Sequence, residues 1–193
     1  QHWAVSNFPE CVVVRDGKRP AKLSDLKNIL ESTGYTFTFV RNPFARLVSI
    51  FHFVGQRAEL RQHRRNKGKK VKKETTPDHD KNIVEQYHKG FEEYVLGLAQ
   101  PNFRNSPYEQ GKMWYSRTTL QKEWLDGQVD KIIKLEDVNT HFKEIQYLLK
   151  CNKELPFVNN SNHEHYKKYY NIETKNIVEK IFKDDLDEFN YEF

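Results

Sequence analysis

One junction constrains this chain more than any other segment. Tyr35-Thr36-Phe37-Thr38-Phe39-Val40 is β-branched or aromatic throughout and runs straight into Arg41-Asn42-Pro43. Such a run reads as an interior strand. Asn42 suits the position that caps a helix and Pro43 its first residue, where a missing N–H costs nothing. Beyond them Phe44, Leu47, Val48, Phe51 and Val54 mark the apolar face of a helix to about Val54. A strand that turns directly into a helix is half of a parallel α/β unit.

The rest of the 193-residue chain, on the order of one ordinary domain in all, continues the alternation. Cys11-Val12-Val13-Val14 reads as a strand closed by a turn at Asp16-Gly17, and Leu23, Leu26, Ile29 and Leu30 are spaced as in a helix that stops near Gly34. Val84–Leu98 is helical in pattern. Residues 100–111, with Pro101, Pro107 and Gly111, read as a loop. Val129–Leu135 reads as a strand, followed by a helix around Phe142, Ile145, Leu148 and Leu149. A polar loop at Asn159–His165 precedes a last helix from about Glu173 to Asp187. The expectation is an α/β fold, a single domain over residues 1–193, with a central parallel sheet of four or five strands. Cys11 and Cys151 are too few for a disulfide framework; one bridge and two thiols both remain open. No apolar run has the length of a membrane span, and no signal-peptide pattern opens the sequence.

Charge is distributed unevenly. Residues 57–73 hold nine Lys and Arg against the single acid Glu59, while the rest of the chain has 23 basic and 26 acidic residues, a net of −3. We therefore read a slightly acidic body with a basic insert at about residues 56–82, expected as an exposed loop or an extension of the preceding helix. Three roles are open to it: a solvated loop, an acceptor-side patch for an anionic glycan, or a nucleic-acid surface. The last is disfavoured because the segment has no aromatic residue on which bases would stack, so no nucleic-acid partner is expected.

The chemistry concentrates at Phe39-Val40-Arg41-Asn42-Pro43-Phe44-Ala45-Arg46-Leu47-Val48-Ser49. Open α/β folds bind ligands at the carboxyl edge of the sheet, where the strand ends in Arg41. A helix N-terminus favours anions, and a guanidinium offers a planar fork matched to phosphate oxygens. Ser49, about two turns along, would add a hydroxyl donor. The plain alternative is an ordinary cap with Arg41 paired to a carboxylate.

Arg-Asn-Pro-Phe-x-Arg-Leu-Val-Ser resembles the 3′-phosphate-binding motif of the carbohydrate sulfotransferases, which use 3′-phosphoadenosine 5′-phosphosulfate as donor. Phe91-Glu92-Glu93-Tyr94-Val95, Lys134-Leu135-Glu136-Asp137, Asn159-Asn160-Ser161, Tyr169-Tyr170 and the stretch from Asp184 to Tyr191 resemble later patterns of that family, in its order. The resemblance spans roughly the whole chain. It implies a P-loop nucleoside-kinase-like three-layer fold, and it assigns Arg41 and Ser49 to the 3′-phosphate of the co-substrate. Arg46 matches as a structural, salt-bridged residue. Ser161 falls at a donor-contacting position or, equally, is a capping serine.

The same resemblance implies a first strand and a Pro-Lys-x-Gly/Ala-x-Thr-Ser-type loop for the 5′-phosphosulfate. No such segment is present, and the expectation is that both lie before Gln1. Sulfuryl transfer to a hydroxyl needs a base. His2-Trp3-Ala4-Val5 is similar to a His-Val-x-Tyr-like segment of the heparan 2-O-sulfotransferases, which makes His2 the candidate base. Glu10 and Glu93 are further candidates. No metal is implied, and His163 and His165, two residues apart in a polar loop, read as surface histidines. Trp114, Tyr115 and Trp124 suit either a sugar platform or the core.

The implied function is transfer of a sulfuryl group to a carbohydrate hydroxyl, on an anionic or neutral acceptor. The alternative is a non-catalytic binder of anionic polymers through residues 57–73. The location implied is cytoplasmic for a bacterial or viral protein and the Golgi lumen for a eukaryotic one.

Overall fold

In the computed structural model the described residues are 15–16, 19–20, 37–71, 76–101, 119–125, 129–148 and 161–193. His2, Glu10, Cys11, Trp114, Tyr115, Cys151, the side chain of Trp124 and the expected elements at 11–14 and 23–30 lie outside them. Along the chain come β1 (Arg15–Asp16), β2 (Arg19–Pro20), β3 (Phe37–Val40), α1 (Pro43–Asn66), α2 (Pro77–His88), α3 (Phe91–Leu98), α4 (Gln121–Trp124), β4 (Lys131–Lys134), a 3-10 turn (Leu135–Asp137), α5 (Val138–Leu148), a second 3-10 turn (Tyr166–Tyr169), α6 (Ile172–Ile181) and α7 (Lys183–Glu188). The chain is mixed α/β, and its described residues are mostly helical. They form two compact units, residues 1–42 with 120–158 and residues 43–119 with 159–193.

In the first unit β1 and β2 pair antiparallel, Arg15 opposite Pro20 and Asp16 opposite Arg19. β3 and β4 pair parallel, Phe37 opposite Lys131 and Val40 opposite Lys134. This is the parallel sheet among the described residues, smaller than the four or five strands expected. Parallel strands need a covering layer, and α5 supplies it: buried Ile133 and Phe142 pack together with Phe37 and Val138 around them.

The second unit is built on α1. Its buried residues Phe44, Leu47, Val48, Phe51, Val54 and Ala58 recur at helical spacing. The helix runs well past Val54, to Asn66, so the first part of the basic insert is helix and not loop. The cause is non-local. Arg61 and Arg65, one turn apart, both grip Asp80 of α2, which is fully buried; Arg61 donates from Nε and Nη2 to Oδ1 at 2.9 and 2.6 Å, and Arg65 donates to Oδ2. The latter part of the insert is also helical. Thr76 caps α2, its hydroxyl accepting from the His79 N–H at 3.1 Å, and Pro77 takes the first helical position.

Two expected helices are each broken in two. Val84–Leu98 divides into α2 and α3 at Gly90, whose φ of 97° falls where a side chain is disfavoured. The last helix divides into α6 and α7 at buried Phe182. A capping box opens α6: Asn171 Oδ1 accepts from the Thr174 N–H at 2.8 Å and Thr174 Oγ1 accepts from the Asn171 N–H at 3.0 Å. Asn171 Nδ2 also donates to Glu92 at 2.8 Å, tying α3 to α6. Where α1 meets α2, a Cβ on Gly55 would overlap the ring of Tyr87. Among the described residues no helix is long and apolar enough to cross a membrane.

Candidate functional site

Arg41 follows the last residue of β3, and its backbone is held on both sides by one side chain. The Arg41 N–H donates to Gln121 Oε1 and Gln121 Nε2 donates to the Arg41 carbonyl, each at 2.8 Å. An amide side chain thereby completes the ladder where the strand ends. The next N–H, of buried Asn42, donates to Glu136 Oε1 at 2.8 Å. Glu136 comes just after β4, so the parallel register of β3 and β4 is what brings the two strand ends level. Glu136, in the Lys134-Leu135-Glu136-Asp137 stretch, therefore engages the backbone of the Arg41-Asn42 corner.

In the second unit, Ser49 and Ser161 share a hydrogen bond, 3.2 Å between their Oγ atoms, across 112 residues of sequence. Ser161 is only 6 % exposed, so its hydroxyl has little water to bond with instead. Arg46, on the same helix, donates to the Thr119 carbonyl at 3.0 Å and lies 3.9 Å from fully buried Asp185. It has the structural, salt-bridged role expected of it.

The Ser49 pairing is the first of three successive contacts. Ser49, His52 and Gln56 are spaced by three and four residues, and so share one face of α1. Ser161, Asn162 and His163 meet that face. The ring of His52 stacks on that of His163, with centroids 5.4 Å apart and an interplanar angle of 21°. Gln56 Nε2 donates to the Asn162 carbonyl at 2.8 Å while the Asn162 N–H donates back to Gln56 Oε1 at 3.3 Å. The segment carrying Ser161 is thus fixed along α1 at three points. His163, read as a surface histidine, has a packing role instead.

His52 is the residue that sequence reasoning passed over. Its Nδ1 is hydrogen-bonded to the Tyr87 hydroxyl at 2.9 Å, and the Tyr169 ring meets it edge-on at 5.0 Å. Its Nε2 is buried and has no hydrogen-bond partner among the described residues. Burial, with the nearby His163 adding to it, lowers the His52 pKa to about 4, so the ring is neutral at pH 7. Burial also pushes the Tyr87 hydroxyl up. The available signal was the polar stripe Ser49–His52–Gln56 on a helix whose other faces carry the core.

The Tyr169-Tyr170 pair anchors the start of α1 from the C-terminal segment. Tyr170 donates its hydroxyl to the Phe44 carbonyl at 3.0 Å, and its ring meets Phe44, Phe91 and Phe193 edge-on. Burial raises the Tyr170 pKa well above the usual phenol range. Glu93 is an exposed residue of α3. Arg41 belongs to the first unit and Ser49 and Ser161 to the second; His2 is outside the described residues.

Comparison with models of protein families matches residues 6–192 to the sulfotransferase family. No curated protein and no solved structure gives a significant match.

Proposed function

The chain belongs to the sulfotransferase family, and from that premise we propose that it moves a sulfuryl group from 3′-phosphoadenosine 5′-phosphosulfate to a hydroxyl of a carbohydrate. The observation that carries this reading is the meeting of Ser49 and Ser161. The motif assigns Ser49 to the donor, Ser161 falls at a donor-contacting position 112 residues further on, and their hydroxyls lie side by side. A phosphate oxygen accepts hydrogen bonds and needs a positive partner. Two adjacent serine hydroxyls provide the donors, and Arg41 provides the charge.

The residues divide the work as follows. Arg41 and Ser49 bind the 3′-phosphate, with the Arg41 backbone held by Gln121 so that the guanidinium starts from a fixed point. Ser161 adds its hydroxyl beside Ser49. His2 accepts the proton of the attacking acceptor hydroxyl. When bound, the nucleotide supplies the sulfuryl group and a phosphate leaving group: the acceptor oxygen bonds to sulfur as the bond from sulfur to the 5′-phosphate oxygen breaks. Fixed positive charge stabilises that departure, as in phosphoryl transfer. A P-loop nucleoside-kinase-like arrangement, with the acceptor chemistry of the heparan 2-O type, is the fuller form of this reading.

Titration calorimetry tests it. Adenosine 3′,5′-bisphosphate is expected to bind at least about tenfold more tightly than adenosine 5′-monophosphate, a difference of about 1.4 kcal/mol. Equal affinities would mean that no 3′-phosphate site exists.

A further inference from the structure

His52 carries a buried ring nitrogen, Nε2, that has no hydrogen-bond partner among the described residues. A neutral imidazole has one N–H, and the bond made by one nitrogen decides which of the two holds the proton. Here the deciding bond is to the Tyr87 hydroxyl, 2.9 Å from Nδ1. Burial raises the Tyr87 pKa, so the phenol keeps its proton. Its oxygen also receives a hydrogen bond from Gln56, whose own Oε1 is engaged by the Asn162 N–H at 3.3 Å. The phenol proton is thereby left for Nδ1, and the imidazole proton sits on Nε2. Folded proteins keep few buried N–H groups that lack an acceptor, because such a group forfeits its bonds to water and gains none.

This N–H stands beside the two serines. His52 follows Ser49 by three residues, about 4.5 Å further along α1 and about 60° around it. Packed against its ring are Tyr87 of α2, His163 of the segment that carries Ser161, and Tyr169 of the second 3-10 turn. The hydroxyls of Ser49 and Ser161 are bonded to each other, so both protons reach a ligand only when that bond breaks. Breaking it removes one of the three contacts that hold Ser161, Asn162 and His163 along α1.

We infer that His52 is a third hydrogen-bond donor to the 3′-phosphate: as the nucleotide replaces the bond between Ser49 and Ser161, the segment draws back from the ring and Nε2–H donates to a phosphate oxygen. It rests on the reading above, in which Ser49 binds that phosphate with Ser161 beside it. The chemistry of the three groups favours an anion's oxygen. Two hydroxyls can turn their protons to it, and the ring N–H can only donate, which matches a group that only accepts. A protonated ring nitrogen has no lone pair for a cation, so a metal ion does not suit the place. His52 adds a directed donor without adding charge, and the charge remains the part of Arg41.

The test compares the wild-type chain with His52→Asn and His52→Gln, each verified as folded by circular dichroism. The asparagine amide reaches the place of Nδ1 and keeps the bond to Tyr87, whereas the glutamine amide reaches the place of Nε2 and keeps the donor. Calorimetry with adenosine 3′,5′-bisphosphate and adenosine 5′-monophosphate is expected to show about a tenfold loss for the bisphosphate in His52→Asn, a smaller loss in His52→Gln, and little change for the monophosphate in either. Proton–nitrogen correlation spectra of the wild-type chain with labelled histidine read the tautomer directly. The expected result is a proton on Nε2, with a signal that moves on addition of the bisphosphate and not of the monophosphate. Undiminished bisphosphate affinity in His52→Asn, a proton on Nδ1, or an Nε2 signal that the bisphosphate leaves in place overturns the inference. A loss in His52→Gln equal to or greater than that in His52→Asn overturns it in favour of a packing role through Tyr87. In each of these cases a wild-type preference for the bisphosphate leaves the 3′-phosphate site standing; equal wild-type affinity for the two nucleotides overturns that site and the His52 assignment together.

Discussion

Ser49 and Ser161 lie 3.2 Å apart, oxygen to oxygen, although 112 residues separate them in sequence. Neutral hydrogen bonds of this kind contribute about 1 kcal/mol each. Ser49→Ala and Ser161→Ala are therefore expected to leave the fold nearly as stable as before. Each should weaken adenosine 3′,5′-bisphosphate by about tenfold, since hydrogen bonds to a charged group contribute about 1.5–3 kcal/mol. The double variant should lose less than the sum, because the two hydroxyls act on one ligand. Calorimetry on the three variants checks this, and an unchanged affinity in both single variants would remove the serines from the site.

The His52 ring makes stability depend on acidity. Its folded pKa of about 4 lies below the ordinary value of 6.5. Between those values the unfolded chain holds more proton than the folded one, so stability rises with pH through that window and is lost as pH falls from about 6.5 toward 4. Around it stand Tyr87, His163 and Tyr169. His52→Gln is expected to flatten this part of the profile. Urea unfolding of the wild type and the variant at pH 7.5 and pH 5 measures it. A variant with the wild-type pH dependence would show that His52 is protonated equally in both states.

Asp80 holds the far end of α1. Its carboxylate is fully buried and serves both Arg61 and Arg65. Removing one partner of a buried ion pair costs about 3–5 kcal/mol, and the partial exposure of both arginines puts the expected cost of Asp80→Ala near the lower end, about 3 kcal/mol. Hydrogen exchange should show the loss concentrated in residues 57–66, with the Ser49 end of the helix still protected. Uniform loss of protection would mean that the ion pair does not define the extension.

What could be read from the sequence was local. Phe37–Val40 followed by Pro43 fixed a strand and a helix because propensity, cap and apolar spacing all agree there. The end of α1 was not readable, since residues 59–66 have little apolar periodicity. Their helix depends on Asp80, which lies 15 residues beyond Arg65 and 19 beyond Arg61. The start of α2 was readable in Thr76-Pro77-Asp78, but the surrounding charge disguised it. Arg41, Ser49 and Ser161 were singled out by motif, and the structure adds the Ser49–Ser161 contact. His52 was missed because a histidine on a helix carries no local sign of its neighbours. Tyr87 is 35 residues away, and His163 belongs to a segment with no periodicity of its own.

Arg41 is the residue on which the account depends most. The direct measurement is calorimetric titration of adenosine 3′,5′-bisphosphate into the wild-type chain and into Arg41→Ala, with folding of the variant verified beforehand. The account predicts binding by the wild type and its loss in Arg41→Ala, with affinity for adenosine 5′-monophosphate little changed. Equal affinity of the two proteins for the bisphosphate would contradict it.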